Sequence, residues 1–306
     1  MSVRDMLLAL CVVVIWGVNF VVIKVGLHGM PPLLLGALRF ILVVFPAIFF
    51  IPRPKLPLKG IVIYGLTISF AQFAFLFCAI NLGMPSGIAS VVLQSQVFFS
   101  VLLGALILGE KVKRSQIVGI LLAAAGMFVL AKGGMTGNLT DIPLIALLFT
   151  LAAGFSWACG NITNRAIMQN AGTTSIMSLV VWSALVPILP FLLCSWLFEG
   201  QAAIENSLTN IHLPTILALC YIAFLSTHVG YGLWGRLLTR YETWRVTPFA
   251  LLVPVVGLTS GALILGEQIA TLQIYGLLLI MLGLLINVFG GRMMTKRMHC
   301  PAIEKD

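Results

Sequence analysis

Inside long apolar stretches this chain carries polar residues whose spacing offers a binding chemistry. Trp16 and Asn19 lie three apart, and Trp157 and Asn161 four apart; either spacing puts both side chains on one helix face. An indole supplies an apolar wall and an amide both donates and accepts hydrogen bonds, which suits a zwitterion and equally suits a packing cluster between helices. Gln72, Gln94 and Gln96 add amides that can meet both the ammonium and the carboxylate of an amino acid without a fixed charge. Gln94 and Gln96 diverge by about 200° on a helix, so one of them faces inward, and Gln94 is the preferred one. His228, Tyr231 and Trp234 form an i, i+3, i+6 stripe, a pattern of helix packing as much as of a site.

Arg39 lies about seven residues into its apolar run, roughly 10 Å deep at the helical rise per residue. A guanidinium there needs a carboxylate, helix carbonyls or the acid group of a substrate. Lys24 is close enough to the end of its run to snorkel. No acidic residue lies deep in any apolar run, so a proton relay has only His228, a rim carboxylate or the substrate's own groups to use. There is no GxxxxGK[ST] for ATP and no HExxH, DDxxD or GxGD for intramembrane enzyme chemistry. The six cysteines show no CxxC spacing, and buried thiols of this kind act as small apolar residues. No metal and no cofactor is therefore expected.

These residues must be positioned by membrane-spanning helices. Of 306 residues 60% are hydrophobic and only 9% charged, and apolar runs of spanning length succeed one another almost without pause. Ten spans are expected: Asp5 to Leu27, Pro32 to Ile51, Gly60 to Leu82, Gly87 to Leu108, Ser115 to Ala131, Ile142 to Ile162, Thr174 to Phe198, Pro214 to Arg236, Arg245 to Leu265 and Thr271 to Phe289. The first resembles a signal peptide in having Arg4 before an apolar run, but it continues through Trp16, Asn19 and Lys24 without a small-residue cleavage site, so it is expected to be kept. The net charge of +9 points to orientation in a lipid bilayer, not to nucleic acid. With a cytoplasmic N-terminus, fifteen basic residues fall on the inside and Lys132 alone outside, which places both termini in the cytoplasm. Small-residue spacings serve packing within a chain as readily as dimers, so they leave the oligomeric state open.

The heptapeptide GALILGE occurs at Gly104 to Glu110 and again at Gly261 to Glu267. The same shift of 157 carries Tyr64 onto Tyr221, Ser69 onto Ser226, Gln116 onto Gln273, Gly119 onto Gly276 and Gly126 onto Gly283; upstream, a shift of 141 carries Trp16 onto Trp157, Lys24 onto Arg165 and Pro46 onto Pro187. The longer second-half loop around Glu199 to His212 makes up the difference. Residues 1–140 and 141–292 thus form two related halves of five spans, followed by a cytoplasmic tail, 293–306. An odd number of spans per half makes the second run inverted, as in many secondary transporters. KVKR after Glu110 and QIAT after Glu267 fit opposite membrane faces. Glu110 and Glu267 are expected as structural helix-end residues, each favouring the positive end of the helix that follows.

Ten spans in two five-span halves, with a tryptophan in the first helix of each half and LGE closing the fourth, resemble the EamA family of the drug/metabolite transporter superfamily. The resemblance extends from Asp5 to about Arg292, and WGVNFVVIKVGL, YGLTISFAQFAFLFCAINLGMPSG, TLAAGFSWACGNI and GRLLTRYETWRV carry it beyond the general pattern. It implies export of small amino-acid metabolites, cysteine and O-acetylserine among them, across a bacterial inner membrane. The competing readings are a passive facilitator, a broader amino-acid or drug efflux carrier, and a purely structural membrane protein.

Overall fold

The structure is a computed structural model and describes residues 1–133, 142–168, 175–241 and 243–297. Cys300 and the last part of the tail lie outside the described residues. Regular structure in the described residues is all helical, and ten helices are long and apolar enough to cross a membrane. They are α1 (Val3–Gly29), α2 (Pro32–Phe49), α3 (Leu58–Asn81), α4 (Ser86–Leu108), α5 (Arg114–Lys132), α6 (Leu144–Met168), α7 (Ile176–Glu199), α8 (Leu213–Arg240), α9 (Pro248–Leu265) and α10 (Thr271–Gly290). Hydrocarbon offers no partner to a free N–H or C=O, and a helix is the segment that satisfies its own backbone. The expected spans hold to within a few residues. The main departure is α6, which runs on to Met168 because Asn161, Asn164 and Arg165 line a polar cavity and so stay helical past the apolar run. The short helix Gln201–Thr209 occupies the longer loop of the second half.

Successive spans alternate in direction. One face, called the N-terminal face below, carries Met1 and the connections α2–α3, α4–α5 and α8–α9; the opposite face carries α1–α2, α3–α4, α7–α8 and α9–α10. The inversion is visible where α5 crosses α10. A Cβ on Gly119 would stand 2.7 Å from the Gly283 carbonyl oxygen, and one on Gly126 would stand 2.7 Å from that of Gly276. The repeat exchanges Gly119 with Gly276 and Gly126 with Gly283, so the two contacts swap and a two-fold axis passes between the helices. Small residues bring the backbones this close, where a side chain would collide. The same symmetry relates two larger interfaces: α1 packs on α8 and α9, and α6 packs on α3 and α4. The first helix of each half is therefore inserted into the other half.

Several spans are interrupted, again in matching places. Both α3 and α8 contain a π-helical stretch, Gly65–Ala71 and Tyr221–Val229. The regular helix of α4 stops at Val92 and resumes at Ser95, and α9 opens with the 3-10 segment Thr247–Leu252. Prolines mark only some of these breaks. Pro187 ends the interruption of α7 and Pro248 lies in the 3-10 segment, whereas Pro254 sits in the first turn of Val253–Leu265, where a missing N–H costs little. On the lipid side, Leu106 and Leu263, equivalent leucines of the repeated heptapeptide, are 81% and 86% exposed. An apolar pair so open to the surroundings belongs against acyl chains.

Candidate functional site

At the N-terminal face a cavity of about 790 Å³ lies between α4, α6 and the crossing of α5 with α10. Lys111 and Lys113 stand at its mouth, and Gln96, Ser100, Asn161, Asn164 and Asn287 line its interior. The Asn161 amide donates to Gln96 Oε1 at 2.8 Å and to Ser100 Oγ at 3.2 Å. Asn164 Oδ1 and Asn287 Nδ2 are buried without a partner, leaving an acceptor and a donor for an occupant. At the rim Arg165 Nη1 donates to both oxygens of Glu110, at 2.7 and 2.9 Å, in a pair that is half exposed on both sides.

The opposite end is shut by the equivalent residues. Lys24 Nζ donates to Glu267 Oε1 at 2.8 Å, as do the Ser86 N–H at 2.7 Å and the Ser86 hydroxyl at 2.9 Å; the Gly87 N–H donates to Oε2 at 2.9 Å. Burial alone would push the Glu267 carboxyl up. The Lys24 ammonium and the two backbone N–H groups outweigh it and hold the carboxyl below its ordinary range. The helix-end expectation for the two glutamates is thus corrected in detail. The helices that follow them are capped by Gln116, which accepts from the Lys113 N–H, and by Gln273, which accepts from the Ala270 N–H. Glu267 instead caps α4 of the other half, and Glu110 pairs with Arg165. The glycines of the heptapeptide explain why: Gly109 and Gly266 turn the chain with φ of 67° and 63°. Gly104 and Gly261 leave room for the carboxylates, which would stand 2.7 and 2.5 Å from a Cβ there.

Between the two ends the structure joins some of the expected residues and separates others. Trp16 crosses to α8, donating from Nε1 to the Ser226 carbonyl at 3.0 Å, with its ring 5.3 Å from both Tyr231 and Trp234. Trp157 packs with Ile61, Tyr64 and Ile68 of α3 and with Leu179, so the two tryptophans meet equivalent helices of the opposite half, though not equivalent residues on them. Their asparagines differ: Asn161 lines the cavity, while Asn19 is buried with Oδ1 unpartnered. His228 leaves the stripe, stacking on Phe224 and bonding the Ala223 carbonyl through Nδ1; the π-helical stretch that ends at Val229 alters the i, i+3 register there. Gln96, not Gln94, reaches the cavity, because the helix breaks at Gln94 and restarts. Gln72 is buried and lines neither this cavity nor the smaller one beside Arg39. Arg39 is buried, with its guanidinium carbon 3.7 Å from the centre of the Phe73 ring. Sequence reasoning missed Asn164 and Asn287; Asn164 had a signal, standing three residues beyond Asn161 on the same face.

Ten spanning helices in two inverted halves, with a polar cavity at one end and the equivalent residues tied together at the other, define a two-repeat integral membrane protein. The chain matches the EamA-like transporter family over residues 4–132 and again over 144–289, and it belongs to that family. A probable amino-acid metabolite efflux pump of Salmonella typhimurium strain LT2 is 60% identical over 95% of this chain and 97% of that protein. One of the same description from Escherichia coli K12 is 58% identical over the same shares. An uncharacterized inner membrane transporter of Escherichia coli K12, YedA, is 25% identical over 90% of this chain and 88% of its own length. A solved crystal structure shares the fold with a TM-score of 0.62 at 19% identity, covering 98% of this chain and 100% of that one.

Proposed function

We propose that this protein exports small amino-acid metabolites, cysteine, O-acetylserine and related zwitterions, across the bacterial inner membrane by alternating access, as a secondary carrier with both termini in the cytoplasm. One observation carries the reading: equivalent glutamates stand in two different states, Glu267 locked to Lys24, Ser86 and Gly87, and Glu110 half exposed beside an open cavity. Inverted repeats exchange such states between their ends, which supports reading this arrangement, with the N-terminal face in the cytoplasm, as the inward-open one. Cargo enters among Gln96, Asn161 and Asn164, passes the wall made by Trp16, Tyr231 and Trp234, and leaves when Lys24 parts from Glu267. The names of the two probable efflux pumps support a cargo of amino-acid metabolites, and cysteine and O-acetylserine are what the resemblance of the longer sequence stretches implies.

Flux of labelled O-acetylserine and cysteine in proteoliposomes, with and without an imposed pH gradient, tests this. Movement that a pH gradient accelerates supports the secondary carrier; downhill movement indifferent to the gradient selects a facilitator; no movement of either compound sinks the substrate assignment. Trp16→Ala and Trp157→Ala are expected to lower flux at unchanged abundance, since each removes a wall shared between the halves. The facilitator keeps one observation in its favour, that no acidic side chain lies among the residues lining the inner part of the cavity.

A further inference from the structure

Arg39 is only 3% exposed, and none of the ion pairs among the described residues involves it. Of its five N–H donors, one is engaged, from Nη2 to Thr227 Oγ1 at 3.3 Å, while Nε and Nη1 have no partner. The Phe73 ring covers one face of the guanidinium, which holds a cation without consuming its donors. Beside the free donors is a cavity of about 30 Å³ walled by α2 and α3 of one half and by α7 and α8 of the other. Besides Arg39, Tyr64, Ser69, Ser183, Thr227 and Tyr231 supply its polar lining, and no acidic residue belongs to it. A buried charge normally has a partner or a function that supplies one.

We propose that Arg39 receives the carboxylate of the transported metabolite, and that this site admits zwitterions and anions while rejecting cations. The inference rests on the export reading for the identity of the cargo. Several free N–H groups of a guanidinium match the two oxygens of a carboxylate. An ammonium meets hydroxyls and aromatic faces there and no carboxylate, so a single positive charge beside the bound carboxylate is tolerated. A second one meets Arg39 with nothing to offset it. In this state the cavity has room for about one water molecule, so the carboxylate enters only when the walls separate. Ser69 and Thr227 on those walls belong to the two π-helical stretches, where the backbone departs from regular helix and has room to change register.

Trp16 lies 5.3 Å from Tyr231, a wall of the cavity, so tryptophan fluorescence of the purified full chain reports its occupancy. O-acetylserine, N-acetylserine, serinamide and lysine are titrated against wild type, Arg39→Gln and Arg39→Lys. The two carboxylate ligands with no extra positive charge are expected to bind at least about tenfold more tightly than serinamide or lysine, and Arg39→Gln to lose at least about tenfold in affinity for them. Arg39→Lys is expected to fall between. Serinamide binding as tightly as O-acetylserine, an unchanged affinity in Arg39→Gln, or no ligand response in wild type overturns the proposal. The wild-type series and Arg39→Lys decide it should Arg39→Gln fail to fold. Flux of O-acetylserine that persists undiminished in Arg39→Gln refutes this site and leaves the exporter standing. Arg39-dependent binding of N-acetylserine or O-acetylserine with no flux refutes the exporter and leaves the site.

Discussion

The two ends of the molecule are built from equivalent residues and differ in what those positions hold. Asn161, Asn164, Gln96 and Asn287 line the open cavity; the repeat carries them onto Phe20, Ile23, Val253 and Leu130. All four of these are buried in the main apolar core. The closed end is therefore shut twice, by the Glu267 cluster at the rim and by a layer of apolar side chains beneath it. Among the described residues the open end carries the exposed Glu110–Arg165 pair and a set of amides that water can solvate. An inverted repeat supplies the same scaffold at both ends, and the side chains decide how firmly each closes: burying amides without partners is costly, while burying Phe20 and Ile23 is favourable.

The largest expected difference lies in that apolar layer. Phe20→Ala is expected to lower stability by about 3–5 kcal/mol through lost burial and a residual cavity. At the equivalent position Asn161→Ala is expected to lower it by less than about 1 kcal/mol, because water replaces its partners in an open cavity. Thermal unfolding of both variants in the same detergent measures the contrast, and equal shifts would dissolve it. Next comes the rim: Glu267→Ala strands Lys24 and two N–H groups and is expected to destabilise by about 3 kcal/mol, as when one partner of a largely buried pair is removed. Glu110→Ala breaks a half-exposed pair, expected below about 1 kcal/mol. If the two glutamates proved equal, the closed end would not be closed by its carboxylate.

A smaller effect separates the glycines. A Cβ on Gly261 would meet Glu267 Oε2 at 2.5 Å and the Gly87 nitrogen at 3.2 Å, with neither free to move, whereas at Gly104 it would meet the side chain of Glu110, which can swing into solvent. Gly261→Ala is expected to cost about 1–3 kcal/mol as overpacking does, and Gly104→Ala clearly less, read by the same unfolding curves. The smallest is a pH effect. Because the folded Glu267 carboxyl lies below its ordinary value of 4.5, its contribution is fully present above that value and is lost as pH falls through the lowered one. The unfolding temperature should therefore hold from neutral down to mildly acid pH and drop only in the acid range, with Glu267→Gln removing that part of the drop. A fall that begins near neutrality would point to another group.

Much of the architecture was legible in the residues because spanning length, charge asymmetry and the 157-residue repeat are properties of the chain read along its length. The paired tryptophans emerged as equivalents for that reason. Helix-face arithmetic failed where the helices are not regular. The break at Gln94 handed the cavity to Gln96, and the π-helical stretch of α8 turned His228 onto Phe224. The breaks in α3, α4 and α8 carry no proline, so nothing in the local sequence announced them.

By itself the sequence determined ten helices and two inverted halves, since apolar length and an odd span count are properties read along the chain. Only the tertiary structure decided that Glu267 caps a helix of the other half, that Glu110 pairs with the exposed Arg165, and that Arg39 is buried with donors to spare. Those are outcomes of which surfaces meet across the two halves. Identical heptapeptides cannot encode that difference, because it depends on the neighbours each one encounters after folding.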